Sequence, residues 1–162
     1  MDVFGTVTSA ISILEASGKT VHALAQFYSD FANANTTLGR FTEVMKQEQE
    51  SLEELRDLCV VHRQEAPLRS MKCLEDLEQL FQSRPDEYHT LYKDVVEAVK
   101  SLESAAKKSS GARKNRNTKQ NRMTFGEKLR WSLKGKRRIE SLIRRLDRHQ
   151  HHVNNVLIKS QR

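Results

Sequence analysis

The 162-residue chain carries opposite charges in its two parts, so its overall pI of 9.6 describes neither of them. Residues 1–105 hold 10 Lys and Arg against 18 Asp and Glu, whereas residues 106–162 hold 18 against 3. The length is typical of one domain, and two prolines and six glycines favour helices over sheets. So basic a segment needs an anionic partner, which is the acidic part of its own chain, a membrane surface or nucleic acid.

The first predicted helix covers residues 3–31, where apolar or small residues recur at alternating four- and three-residue intervals. They are Val7, Ile11, Leu14, Gly18, Val21, Ala25 and Tyr28. This period indicates a helix packed in a bundle. Gly18 is a weak point, because glycine costs about 1 kcal/mol in a helix interior. The uncharged run at residues 3–14 is too short to cross a bilayer as an upright helix.

Three more helices are predicted before residue 107. Capping residues at 33–37 begin the second, which should end before Pro67 because proline pushes the preceding residue out of the helical region. A short helix over residues 68–81 follows. Pro85, with two acidic residues after it, is typical of a helix start and begins a seam that lasts to Ala106.

The segment that follows is basic and almost devoid of apolar residues. Residues 107–122 contain seven Lys and Arg and no acidic residue. Such a stretch has too little to bury to offset its ordering entropy, which predicts a mobile basic linker at about 107–123 within a single 1–162 domain. A short helical turn at 125–134 and a last helix with a seam from Ile139 to Leu157 complete an all-α bundle of four to five main helices.

No motif of a common enzyme class or cofactor site occurs, so we expect a protein that is not an enzyme and needs no cofactor. His149 and His152 have a spacing that suits a metal, but neighbouring arginines would repel a cation, and we expect no metal site. Cys59 and Cys73 do not form a Cys-x-x-Cys pair and no secretory signal opens the chain, which predicts reduced, buried thiols in an intracellular protein.

Three pieces of the sequence resemble a known family. They are the start Met-Asp-Val-Phe-Gly-Thr-Val-Thr-Ser-Ala-Ile-Ser-Ile-Leu, the element Leu-Arg-Trp-Ser-Leu-Lys ending at Lys134, and the helix that begins Ile-Glu-Ser-Leu-Ile-Arg-Arg-Leu at Ile139. Together they are similar to the HeLo-like N-terminal domains of fungal NOD-like (STAND-type) receptors and related cell-death effectors. The resemblance covers nearly the whole chain in helix order, and it implies a helical bundle akin to the executioner domain of necroptosis proteins.

The resemblance also implies a function. Domains of this family rest in the cytoplasm until an upstream receptor or amyloid-type signalling partner drives their oligomerisation, after which the N-terminal helix engages the plasma membrane. This role falls on residues of the first helix: Val3, Phe4, Val7, Ile11 and Leu14. To these we add Gly18 as a hinge and a basic set that attracts anionic lipid or an acidic partner, at about 1 kcal/mol per charge near a membrane. The basic set comprises Lys107, Lys108, Arg113, Lys114 and Arg116.

The expected function is therefore a pore-forming cell-death effector of an innate-immune type of signalling system, activated by self-association. Two alternatives stay open. A helical interaction module that never touches lipid would show the same seven-residue seams. A basic nucleic-acid-binding domain is less favoured, because the basic segment lacks interleaved aromatic residues and we expect no specific nucleic-acid partner.

Overall fold

The structure is a computed structural model that describes residues 3–28, 34–65, 71–72, 75–76, 78–80, 85–113 and 134–161. The described residues form an all-α helical bundle, as the sequence predicts. Its long helices are α1 (Val3–Phe27), α2 (Ala34–Glu65), α3 (Pro85–Arg113) and α4 (Lys136–Ser160).

Most helix boundaries agree with the local sequence signals. α2 ends at Glu65, two residues before Pro67, and α3 begins at Pro85. α1 passes through Gly18 without a break and ends at Phe27, four residues earlier than predicted. In the predicted helix over 68–81, the described residues 71–72, 75–76 and 78–80 are helical.

The start of the predicted basic linker needs correction. α3 continues through Lys107 to Arg113, so residues 107–113 are helical. Four of these seven residues are lysine, arginine or alanine, which are good helix formers. Adding residues to an existing helix also avoids the cost of nucleation, so this end extends α3 through two serines and a glycine without an apolar face. Residues 114–123 of that linker lie outside the described residues, as does the predicted turn at 125–134 except for Lys134.

The four helices form a ring in which α1 and α4 occupy opposite corners. α1 packs on α2 and α3, and α4 packs on the same two helices from the other side. α2 and α4 run in the same direction, because Arg40 pairs with Asp147 and the later Glu54 contacts Gln161. The seams predicted from periodicity face the centre of this ring. Its largest fully buried apolar side chains are Val7, Leu14, Tyr28, Leu38, Phe41, Met45, Leu52, Leu55, Ile139 and Leu146.

Cys59 is buried, but it is not a free thiol as we predicted. It is disulfide-bonded, and the only other cysteine in the sequence, Cys73, lies outside the described residues. The expectation relied on the spacing of the two cysteines. A disulfide requires only that two cysteine side chains meet in space, which spacing along the chain does not decide.

The basic last helix forms ion pairs with acidic residues of its own chain. α4 holds seven Lys and Arg against two Asp and Glu, whereas α2 holds four against seven. Arg145 pairs with Asp94 of α3 at 2.5 Å, both about one-third exposed, and Arg138 pairs with Glu97 at 3.6 Å. The acidic part of the chain is therefore one real partner of the basic segment.

Candidate functional site

Three polar side chains from three helices meet inside the bundle and form what we call the polar cluster: Glu48 of α2, Tyr92 of α3 and His149 of α4. The Tyr92 hydroxyl donates a hydrogen bond to Oε1 of Glu48 at 3.3 Å and lies 3.4 Å from Nδ1 of His149. His149 Nδ1 contacts the same Glu48 oxygen. One carboxylate oxygen thus joins three helices, including α2 and α3, which lie on opposite corners of the ring.

The polar cluster is closed to solvent. Glu48 is 0% exposed, His149 is 2% exposed and Tyr92 is 7% exposed. The ring of Tyr88 covers His149 edge-on, with ring centroids 4.2 Å apart. Since none of these groups reaches the surface, the cluster acts chemically as a tie between helices, and buried polar networks of this kind specify one arrangement of a core.

Two polar residues at seam positions of the sequence indicated a buried polar cluster. Glu48 was the polar exception in the apolar repeat of the second helix, and His149 stood in the repeat of the last helix. A polar residue at a seam position points into the core. Periodicity alone, however, does not say which seam residues of different helices face each other, so the meeting with Tyr92 went unpredicted.

Burial of the cluster makes stability depend on pH above about 10. Burial raises the pKa of Tyr92 well above the ordinary value of 10.0, and the charge of Glu48 and its hydrogen bond to Tyr92 raise it further. Unfolded chains lose this proton near pH 10 while folded chains retain it, so stability is fully present below pH 10 and falls as pH rises above it. We expect a larger loss of unfolding free energy from pH 8 to 11 in the parent than in Tyr92→Phe, measured by urea titration. Equal losses of unfolding free energy in the parent and in Tyr92→Phe would contradict this role of the Tyr92 proton.

Three of the five predicted membrane-contacting residues occupy the inner face of α1. Val7, Ile11 and Leu14 are buried at 1%, 6% and 1% exposure, on the side that packs against the bundle. The backbone of Val3 and Phe4 belongs to α1, and their side chains lie outside the described residues. Gly18, the predicted hinge, is half-buried within the unbroken helix.

Of the five predicted anionic-contact residues, the structure describes the side chain of Lys107 alone. Lys107 is exposed near the end of α3, the side chains of Lys108 and Arg113 are not described, and Lys114 and Arg116 lie outside the described residues. His149 faces the core while His152 is exposed, and the described part of the chain contains no group of three or more His, Cys, Asp or Glu that could hold a metal.

α1 and α4 differ in how they are held on the bundle. α4 makes ion pairs or hydrogen bonds with α2 and α3 in addition to the polar cluster, for example Ser51 of α2 to Asn154 at 3.2 Å. α1 is held by its apolar seam, and just beyond its end the Tyr28 hydroxyl donates a hydrogen bond to the carbonyl of Leu102 in α3 at 2.9 Å. None of the helices in the described ranges combines the length and apolarity that a membrane crossing needs.

Comparisons with protein-family models, with curated proteins and with solved structures give no match.

Proposed function

We propose that this chain is a membrane-active effector domain that oligomerises and disrupts membranes through α1. One observation carries the proposal. α1 is attached to the bundle by an apolar seam and has one acidic and one basic residue, whereas α2, α3 and α4 are tied together by the polar cluster and by ion pairs. Of the four helices, α1 is the one whose release leaves every member of the polar cluster in place.

The apolar seam of α1 holds the helix on the bundle, and the same seam would make transfer of the helix into lipid favourable. Fully burying a Val, Leu or Ile side chain contributes about 1.5–3 kcal/mol, and Val7, Ile11, Leu14 and Val21 are all buried in the bundle. In water this contribution is lost when α1 leaves. In the acyl region of a membrane it is regained, so a membrane lowers the cost of the released state.

The outer face of α1 also suits lipid contact better than a typical solvent face does. Thr8, Ser9 and Ser12 are exposed, and Ser12 donates its hydroxyl to the carbonyl of Thr8 at 3.0 Å. Hydroxyl groups satisfied within a helix cost far less near hydrocarbon than charges do. The exposed charged pair, Glu15 and Lys19, is neutralised within the helix at 2.6 Å. Such a helix would lie in the membrane interface with its seam towards the acyl chains.

The cellular part of the proposal follows the resemblance. The chain would rest in the cytoplasm, self-associate when an upstream receptor or amyloid-type partner triggers it, and act as a cell-death effector at the plasma membrane. The disulfide at Cys59 bears on this, because disulfides are rare in reducing compartments. The proposal therefore requires the bundle to fold with Cys59 reduced as well, and the assays below are run with and without reductant.

Dye release from liposomes tests the proposal. The purified chain is added to vesicles of neutral lipid and to vesicles containing anionic lipid, and release of an encapsulated dye is followed. We expect release, faster from anionic vesicles because the chain carries a net charge of +7. No release from either vesicle, with and without reductant, would overturn the membrane function and favour a helical interaction module.

Removing the hydrogen bond between Tyr28, just beyond α1, and Leu102 of α3 should increase dye release. Tyr28→Phe removes the hydrogen bond to Leu102, which is worth about 1 kcal/mol, and this shifts the balance between resting and released α1 about fivefold. We expect dye release to rise by up to that factor at low protein concentration. Tyr92→Phe is the matched control, because it removes a buried hydroxyl from the polar cluster without touching α1. Equal effects of both variants would contradict selective release of α1.

A further inference from the structure

Exposed acidic residues form a straight stripe along α2. Glu43, Glu50, Glu54 and Asp57 are all exposed and follow one another at intervals of seven, four and three residues. These intervals place them on one side of a helix, along about 21 Å of its length. We call this set the acidic stripe.

Exposed basic residues form a stripe with the same intervals along α4. Arg137, Arg144, Arg148 and His151 are exposed and are again separated by seven, four and three residues. The three arginines make no ion pair with any residue that the structure describes, in contrast to Arg138 and Arg145 of the same helix, which pair with residues of α3. We call this set the basic stripe.

The two stripes do not pair within one molecule. α2 and α4 are neighbours, and their described polar contacts use Arg40 with Asp147, Ser51 with Asn154, and the polar cluster. Glu54 of the acidic stripe also accepts a 3.5 Å hydrogen bond from Gln161, just beyond the end of α4, which is not a residue of the basic stripe. Within the stripes, the described contacts of Glu50 and Asp57 are to Lys46 and Arg56 of the same helix, at 3.7 and 3.1 Å. Such exposed pairs contribute little and are readily exchanged.

We propose that the acidic stripe of one copy binds the basic stripe of a second copy of this chain. Two helices lying side by side in the same direction bring all four positions into register. Three of these positions pair a carboxylate with an arginine, and the fourth places the imidazole of His151 beside Asp57. A flat membrane or a nucleic acid would match the basic stripe alone and leave the acidic stripe without a role. The second copy is the partner that accounts for both stripes.

Two further features fit a helix as the partner. An open surface depression overlaps the acidic stripe and is lined by Glu50, Glu53, Glu54, Asp57, Leu58 and Val61. Its carboxylates suit an arginine guanidinium, and its two aliphatic residues suit the arginine stem. Each stripe also continues into an exposed aliphatic residue, Val61 at 47% exposure on α2 and Ile158 at 54% exposure on α4. In the proposed register, these two lie about one helical turn apart.

The contact joins two different surfaces of the same molecule, so each copy in a pair keeps one stripe free and the pair has one free stripe at each end. Repeating such a contact builds a ring if the rotation closes and an open chain if it does not. As the assembly step of a membrane effector, this interface rests on the proposed function. Self-association is measured in the absence of lipid, so failure of the interface and failure of membrane release are separate results.

Charge reversal gives the test. The first variant reverses the acidic stripe (Glu50→Lys with Glu54→Lys), and the second reverses the basic stripe (Arg144→Glu with Arg148→Glu). Sedimentation velocity of the full chain measures self-association at low and high salt. We expect the parent to associate at low salt and less at high salt, and each variant alone to need about tenfold more protein.

An equimolar mixture of the two variants should recover the association, because both contacts in the mixture again join opposite charges.

Lys93→Glu with Lys100→Glu is the matched control. These substitutions lie at exposed positions of α3, change the net charge as much as the second variant does, and should leave association intact. A parent that stays monomeric at low salt, a mixture that fails to recover, or an equal loss in the Lys93 and Lys100 control would each overturn the proposal. A parent that stays monomeric but binds anionic vesicles through Arg144 and Arg148 would assign the basic stripe to lipid instead.

Discussion

Glu48→Leu is expected to lower the free energy of unfolding by about 1–3 kcal/mol, because it removes the carboxylate that the buried polar atoms of Tyr92 and His149 contact. Tyr92 and His149 would each keep a polar atom inside the core without the oxygen that now accepts from them. The same substitution at an exposed site of the same helix, Glu43→Leu, should change the free energy of unfolding by about 0.5 kcal/mol or less. Urea titration measures both.

A combined variant separates the loss of a partner from the loss of the cluster. Glu48→Leu together with Tyr92→Phe and His149→Leu replaces the whole polar cluster with apolar groups of similar size, and such replacements are often neutral or stabilising. We expect the triple variant to be more stable than Glu48→Leu alone. If the triple variant is the less stable of the two, the cluster contributes net stability and our account of the Glu48→Leu loss is wrong.

Ile11→Asp is expected to abolish dye release, at least about tenfold below the parent, because a charged residue at the centre of the α1 seam costs about 2.5–3.5 kcal/mol on entering the acyl region. Ile11 is also buried in the bundle, so the variant weakens the fold. Loss of release therefore needs a control that is destabilised without a change in α1.

Leu52→Ala provides that control. Leu52 is fully buried on α2, and truncating such a side chain costs about 2–5 kcal/mol without adding a charge to α1. Both variants are compared by circular dichroism and thermal unfolding, at a temperature where both are folded. We expect Leu52→Ala to release dye as well as the parent or better. Equal loss in both variants would mean that release depends on general stability, and the α1 mechanism would fail.

The two predictions concern two parts of one bundle. The polar cluster ties α2, α3 and α4 through a single carboxylate, and the apolar seam attaches α1 to the bundle. Perturbing the cluster should therefore change stability, whereas perturbing the seam of α1 should change membrane activity. This difference gives the bundle a helix that can leave while the polar cluster stays intact.

The helices and their inward faces were predictable from the sequence because both depend on neighbours a few residues apart. The four-three repeat of Val7, Ile11 and Leu14 indicated the buried side of α1, and Pro67 and Pro85 marked helix boundaries through local backbone geometry. The low charge of α1 and the basic character of α4 are likewise properties of the sequence. Together they were enough for the all-α bundle.

The contacts between helices were decided only by the tertiary structure. Tyr92 lies 44 residues from Glu48 and 57 from His149, and Glu48 and His149 are 101 residues apart, so their meeting depends on the order of the helices around the ring. The same holds for the disulfide at Cys59 and for the division of the arginines of α4 into a set paired with α3 and an exposed stripe. Periodicity tells which side of a helix is buried, but which residues meet there depends on how whole helices pack, and that is a property of the assembled bundle.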